Sequence, residues 1–283
     1  MSENINLGVH ASTTGGIHNS IHEGTRLSCG AIQVFTANQM QWLPRELKKE
    51  EIKLYHEALK GSGIRWIVSH TSYLLNLASE DDSLWKKTIG NLIQEIERCE
   101  ILEIPYTVMH PGSHKGAGMD KGVRRIIKGI NTLFEMTNNS AVELLLETTA
   151  GQGTNIGFEP EQIGAIIGGI HDYNRIGVCI DTCHLFAAGV LSKDPDRLDE
   201  CLERLDRAFG LDKIKVVHVN DSKKDFGSRV DRHEHIGKGM IGLPLFRAIL
   251  RNGFLSKLPL ILETPKTGDM DKINLKVLRD LLR

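Results

Sequence analysis

Short apolar runs recur along the chain, and most of them end on the same kind of residue. Ile67-Val68-Ser69 leads to His70, Tyr106-Thr107-Val108-Met109 to His110, and Leu144-Leu145-Leu146 to Glu147. Gly177-Val178-Cys179-Ile180 leads to Asp181, Val216-Val217 to His218, and Leu260-Ile261-Leu262 to Glu263. Runs this short and this apolar fit strands that are covered on both faces. Between them, apolar residues fall near helical spacing: Ile89, Leu92, Ile93, Ile96 and Leu102, then Val123, Ile126, Ile127, Ile130 and Phe134, then Ile163, Ile166, Ile167 and Ile170.

The pattern predicts strands over residues 7–9, 31–35, 66–69, 106–109, 143–146, 177–180, 215–219 and 260–262. Eight strands alternating with helices favour a closed parallel (β/α)₈ TIM barrel over an open sheet. An open sheet would gather its chemistry at one crevice, where the strand order reverses. Here metal-binding side chains follow most of the strands, so the pattern predicts a metal site at the carboxyl mouth of a ring. No low-complexity segment or composition break interrupts the sequence, which predicts a single domain over residues 1–283. The loops 36–44, 111–118 and 221–242 are long and irregular, and lie where barrel function is usually built.

Composition narrows the class further. An apolar fraction of 40% and a charged fraction of 25% are ordinary for a globular protein, and no apolar run is long enough to span a membrane. Residues 1–6 lack a basic segment followed by an apolar one, so no secretory signal is expected. The five cysteines are odd in number and scattered, which argues against a disulfide framework and for a reducing, cytoplasmic compartment. A net charge of −1 gives no global attraction to nucleic acid, although phosphate binding needs only a local basic surface.

The candidate chemistry is dense. Asp181-Thr182-Cys183-His184 places two ligands three residues apart, and Asp231-Arg232-His233 places two on alternate positions that face one way in an extended segment. With His70, His110, Glu147, His218 and Glu263 they make nine candidate ligands. Taken singly, a histidine at a strand end is more often a core residue, and an acidic residue there more often caps a helix. Nine together in a low dielectric need compensation, and bound cations provide it. Mixed imidazole and carboxylate donors suit zinc, with manganese or iron as alternatives, and nine residues suit two or three ions sharing a carboxylate. Cys179 reads as a core residue, and Cys183 as a thiol with little claim to ligation. Lys223, Lys224, Arg229, Arg232 and Lys238 share the loop of Asp231 and His233; they read either as a solvated surface or as a phosphate-contacting rim.

At this point the residues resemble a known family. His110-Pro111-Gly112-Ser113-His114, Glu147-Thr148-Thr149-Ala150-Gly151-Gln152-Gly153, and Gly177 through His184 to Ala187-Ala188-Gly189 are similar to motifs of the endonuclease IV family of apurinic/apyrimidinic endonucleases. So are His218-Val219-Asn220-Asp221-Ser222-Lys223 and Phe226-Gly227-Ser228-Arg229-Val230-Asp231-Arg232-His233, and the likeness runs from Gly8 to Glu263. The resemblance implies a barrel with three zinc ions. His70, His110 and Glu147 match the ligands of one; Glu147, Asp181, His218 and Glu263 those of a second; His184, Asp231 and His233 those of the third. The implied substrate is duplex DNA, cut 5′ to an abasic site to leave a 3′-hydroxyl and a 5′-deoxyribose phosphate, with removal of 3′-blocking groups as well. Two adjacent ions would acidify a shared water, and Glu147 is the expected catalytic residue, bridging and orienting the nucleophile.

DNA contacts are expected from Tyr73, Gln39, Met40, Lys223, Arg229 and Arg232, with Tyr73 and the Asn38–Trp42 segment matching residues that push into the duplex. Met40 stands where relatives often carry Arg, and Thr148 where the family usually has Asn. A monomer is expected. The alternatives are a metal-dependent sugar isomerase or epimerase on a related barrel, which leaves His184, Asp231 and His233 unexplained, and a binding protein without catalysis.

Overall fold

The computed structural model describes residues 6–42 and 45–283; Leu43 and Pro44, at the end of the 36–44 loop, and residues 1–5 lie outside the described residues. In chain order the elements are β1 (Leu7–His10), α1 (His18–Arg26), β2 (Ala31–Val34), α2 (Lys49–Leu59), β3 (Trp66–His70), α3 (Asp82–Ile101), β4 (Tyr106–Met109) and α4 (Met119–Met136). Then follow β5 (Glu143–Glu147), α5 (Pro160–Ile167), β6 (Ile176–Asp181), α6 (Thr182–Ala187), α7 (Leu198–Phe209) and β7 (Ile214–His218). A small antiparallel pair, β8 (Asp221–Ser222) with β9 (His233–Glu234), interrupts the cycle before α8 (Leu243–Arg251), β10 (Leu260–Leu262) and α9 (Met270–Asp280). The eight long-range strands pair in parallel in the order β1-β10-β7-β6-β5-β4-β3-β2 and close into a barrel. All eight predicted strands are present, with ends shifted by at most one residue.

The barrel interior is layered, and the layers follow from the two-residue repeat of a strand. Ala31, Val68, Val108, Leu145, Cys179, Val216 and Ile261 pack together inside it. Trp66 and Tyr106 stack against this layer two residues earlier on β3 and β4, with ring centroids 6.0 Å apart. Gly8 is the β1 residue in register with Ala31, where a Cβ would stand 1.8 Å from the Ala31 carbonyl oxygen. Two residues beyond this middle layer the side chains again face inward, now at the mouth. Those residues are His10, Gln33, His70, His110, Glu147, Asp181, His218 and Glu263. The remaining apolar side chains pack between barrel and helices. Among the described residues no helix is long and apolar enough to cross a membrane. All five cysteines are buried and unpaired.

Candidate metal centre

Glu147, at the end of β5, is fully buried and lies at the middle of the mouth. Its Oε2 is 3.1 Å from His70 Nε2 and 2.8 Å from His110 Nε2. Its Oε1 is 3.0 Å from His218 Nδ1 and 3.3 Å from His184 Nδ1. Glu263 Oε2 lies 3.1 Å from the same His218 nitrogen. Asp181 caps α6 by accepting from His184 N at 2.8 Å, and its other oxygen is 3.8 Å from His218 Nδ1 and 3.6 Å from His233 Nε2. On the far side His184 Nε2 meets Asp231 Oδ2 at 3.1 Å, and His233 Nε2 stands 3.5 Å from Asp231 Oδ1 and 3.4 Å from His184 Nε2.

The donors fall into three groups whose atoms lie within 4.8 Å of one another: His70, His110 and Glu147; Glu147, Asp181, His218 and Glu263; His184, Asp231 and His233. Glu147 belongs to two of them. The first two groups join residues far apart in sequence, brought together because the barrel layers align; the third sets His184, on α6, against the neighbours Asp231 and His233. The pair β8–β9 places His233 over the mouth, and Asp231, two residues earlier, shares its side of the chain. Cys183 also comes within reach of Asp181 and His233. However, its thiol donates to the Arg232 carbonyl at 3.6 Å, and burial pushes it up to about 12, so it stays protonated.

The outer nitrogen of each ring decides what the inner one can do. His70 Nδ1 donates to Thr71 O at 2.8 Å, His184 Nδ1 to Thr148 O at 2.8 Å, and His233 Nδ1 to Glu263 O at 3.0 Å. His218 Nε2 donates to Gln33 Oε1 at 2.8 Å. In a neutral ring so bonded, the inner nitrogen carries a lone pair, and here it points at carboxylate oxygens. Two facing lone pairs repel unless a cation lies between them. The donor set therefore fits metal ions, with protons as their competitors. Burial alone would drive protons off His184 and His218, but Asp181, Asp231 and Glu147 around His184, and the Cys179 sulfur with Glu263 and Glu147 around His218, reverse this and push both well above the usual histidine value. For Glu147, burial is outweighed by the His110 and His218 imidazoles, which hold it well below the usual carboxylate range. Burial likewise opposes ionisation of Asp231, and His184 overcomes it, leaving a value of about 2.

Three polar residues beyond the nine candidates complete the mouth. Gln33 Nε2 donates to Glu263 Oε1 at 2.5 Å and lies 3.0 Å from His10 Nδ1. His10 packs on Phe35 with ring centroids 4.3 Å apart and stands 3.1 Å from Glu263. Asn220 donates to Asp181 Oδ2 at 2.6 Å and accepts from Glu263 N at 2.7 Å, tying two strand ends together. His10 and Gln33 each lie two residues past the middle-layer position of their strand, a placement that only the register of β1 with β2 reveals. Thr148 supports the neighbours of Glu147: its hydroxyl accepts from Asp181 N at 3.0 Å and its carbonyl from His184.

The chain matches the xylose isomerase-like TIM barrel family over residues 25–281. It is 44% identical over 279 residues to the probable endonuclease 4 of Geotalea daltonii, covering 98% of each chain. The crystal structure of endonuclease IV from Thermus thermophilus superposes with a TM-score of 0.86 at 34% identity, covering 98% of both chains. The chain belongs to the endonuclease IV family. A D-tagatose 3-epimerase-like protein, with a TM-score of 0.77 at 20% identity and 98% and 97% coverage, shares the fold alone. The endonuclease IV relationship, and not the sugar-isomerase alternative, is the one carried by sequence over the full barrel.

The expected DNA contacts surround the mouth of this endonuclease IV barrel. Tyr73 is 61% exposed although its ring touches Phe35, His70 and His110, with centroids 5.7–5.9 Å apart, so it does not pack into the core. Met40 is 74% exposed, and Gln39 beside it is half-buried. Lys223, Arg229 and Arg232 are exposed on the loop that carries Asp231, and the Arg229 guanidinium lies 4.4 Å from the centre of the Phe158 ring.

Proposed function

We propose that this chain is a zinc-dependent apurinic/apyrimidinic endonuclease of base excision repair. It cuts the phosphodiester 5′ to an abasic site in duplex DNA and removes 3′-blocking groups. The observation that carries the reading is the third donor group, His184, Asp231 and His233, set against a pair of groups that share Glu147. A proton-shuttling isomerase needs one or two ions and has no use for a third site. A phosphodiester must have both attack and departure stabilised, and three sites suit that need.

In this reading His70, His110 and Glu147 hold one ion, Glu147, Asp181, His218 and Glu263 a second, and His184, Asp231 and His233 a third. Zinc, when bound, supplies Lewis acidity that acidifies water and draws charge from a phosphate oxygen. Glu147 is the catalytic carboxylate: buried, ionised and held between imidazoles, it orients the nucleophile. Tyr73, Gln39 and Met40 enter the duplex at the lesion. An abasic nucleotide has no base to unstack, so flipping it is cheaper than flipping a normal one, and this difference gives selectivity. Met40 fills the missing-base gap as an apolar wedge. Lys223, Arg229 and Arg232 contact phosphates and position the duplex without reading its sequence. The enzyme acts as a monomer on the DNA of the cytoplasm.

The deciding experiment is incubation of purified protein with a duplex bearing one abasic analogue, together with metal analysis. Incision 5′ to the lesion, resistant to brief magnesium chelation and lost on zinc removal, with about three zinc per chain, is the expected result. One or two manganese or magnesium ions and an intact duplex would overturn it.

A further inference from the structure

A side chain driven into a duplex works as a wedge only if its base is already rigid, because ordering the loop on binding subtracts from affinity. The segment 36–42 has few bonds of its own; Met40 N donates to Asn38 Oδ1 at 2.9 Å and Gln41 N to Asn38 O at 3.1 Å. Helix α3 supplies the rest. Arg98 Nε donates to Thr36 Oγ1 at 3.0 Å, a second guanidinium nitrogen donates to Thr36 O, and the third donates to Arg45 O at 2.8 Å. One side chain thus takes hold on both sides of the loop. About one turn back, Glu95 accepts from Thr36 Oγ1 at 2.8 Å and from Ser69 Oγ, beside His70. A turn earlier still, Asn91 Nδ2 donates to Trp42 O at 2.8 Å, and a further turn back Lys87 Nζ lies 4.2 Å from the centre of the Trp42 ring.

Lys87, Asn91, Glu95 and Arg98 recur at helical spacing and so form one face of α3. Arg98 and Glu95 are both buried. Apolar residues would pack such a position at less desolvation cost, but they could not grip loop carbonyls and a hydroxyl. From the opposite side Ser72 Oγ donates to Gln39 O at 2.5 Å, joining this segment to the loop of Tyr73.

We propose that this face of α3, with Arg98 as its main grip, is a positioning device for lesion recognition that holds Gln39 and Met40 beside Tyr73 before DNA arrives. The proposal rests on the endonuclease reading above. None of these α3 residues is expected to touch substrate; they act through the loop.

The test compares wild type with Arg98→Met and Asn91→Ala, the latter removing a single partly exposed amide should the former fold poorly. Affinity for a duplex with a tetrahydrofuran abasic analogue, steady-state KM and kcat, zinc per chain, and chymotryptic cleavage after Trp42 are measured. Expected are a rise of about tenfold in Kd and KM for Arg98→Met and a smaller rise for Asn91→Ala. Cleavage after Trp42 quickens, while kcat and zinc content hold. If wild type incises the lesion while both variants match its KM and cleavage rate, the positioning role is wrong and the enzymatic reading stands. An affinity loss that merely tracks zinc loss also overturns it. If wild type does not incise, both fall.

Discussion

The Gln33 amide stands between His218 and Glu263, accepting from His218 Nε2 at 2.8 Å and donating to Glu263 Oε1 at 2.5 Å. The two bonds fix each other: an amide that donates to Glu263 must offer its oxygen to His218. His218 then carries its hydrogen on Nε2 and presents Nδ1 to Glu147 and Glu263. Gln33→Leu removes this constraint and leaves a buried N–H unpaired. Zinc affinity should fall about 10- to 100-fold, as for other residues that orient metal-binding histidines, read by competition with a chromophoric chelator. Gln33→Glu should do worse, because it sets a second carboxylate against Glu263. Unchanged zinc affinity in both variants would remove Gln33 from the centre.

The six strand ends that carry candidate ligands were legible because each is an apolar run stopped by an imidazole or carboxylate that a buried strand does not otherwise tolerate. His184, Asp231 and His233 were legible by spacing. Gln33 and Asn220 were not, because an amide is no metal ligand and its role appears only when the barrel closes and brings residues such as Asn220 and Asp181 into contact. His10 escapes notice for a related reason: its strand is short, and only the register with β2 shows that it shares the mouth. The grip of Arg98 on Thr36 and Arg45 joins a helix to a loop well before it in the chain. Periodicity within α3 marks its polar face but not what that face holds.

Glu147 separates holding metal from using it. Glu147→Gln keeps the shape and one oxygen, but turns the other into an amide NH2 and removes the charge. Incision of an abasic duplex should fall about 10³-fold while three zinc ions per chain remain, measured by single-turnover assay and elemental analysis. Full activity would show that another group orients the nucleophile.

The mouth also sets how the protein responds to pH. Without metal, His184 and His218 titrate well above 6.5 because their anionic neighbours, carboxylates for His184 and the Cys179 sulfur with Glu263 and Glu147 for His218, outweigh burial. A histidine whose folded pKa is raised stabilises the fold fully below its unfolded value and loses that contribution as pH rises through the folded one. Asp231, lowered to about 2, and Glu147 and Glu263, also lowered, contribute above the ordinary carboxylate range and fade in acid. His10, lowered by burial, opposes the other histidines near 6.5. Chelated protein should therefore be most stable between the carboxylate range and about pH 6.5 and lose thermal stability as pH rises beyond that through the raised histidine values. Zinc displaces the same protons, so the zinc-loaded protein should gain over the chelated one as pH rises. Thermal melts of both forms across this range check it; parallel curves would mean that the histidines are not coupled to metal.

Met40 stands at the exposed tip of its loop, 74% accessible, and brings no charge to the duplex. Its contribution should therefore be apolar and insensitive to salt. Met40→Ala should weaken binding to an abasic duplex more than to an undamaged one, because the lost methylenes fill only the gap at the lesion. Met40→Arg adds one phosphate-seeking charge, so the plot of log affinity against log salt should steepen by roughly one unit. Binding titrations over a range of salt measure both. An equal loss on damaged and undamaged duplexes for Met40→Ala would place the side chain on the backbone, outside the helix stack.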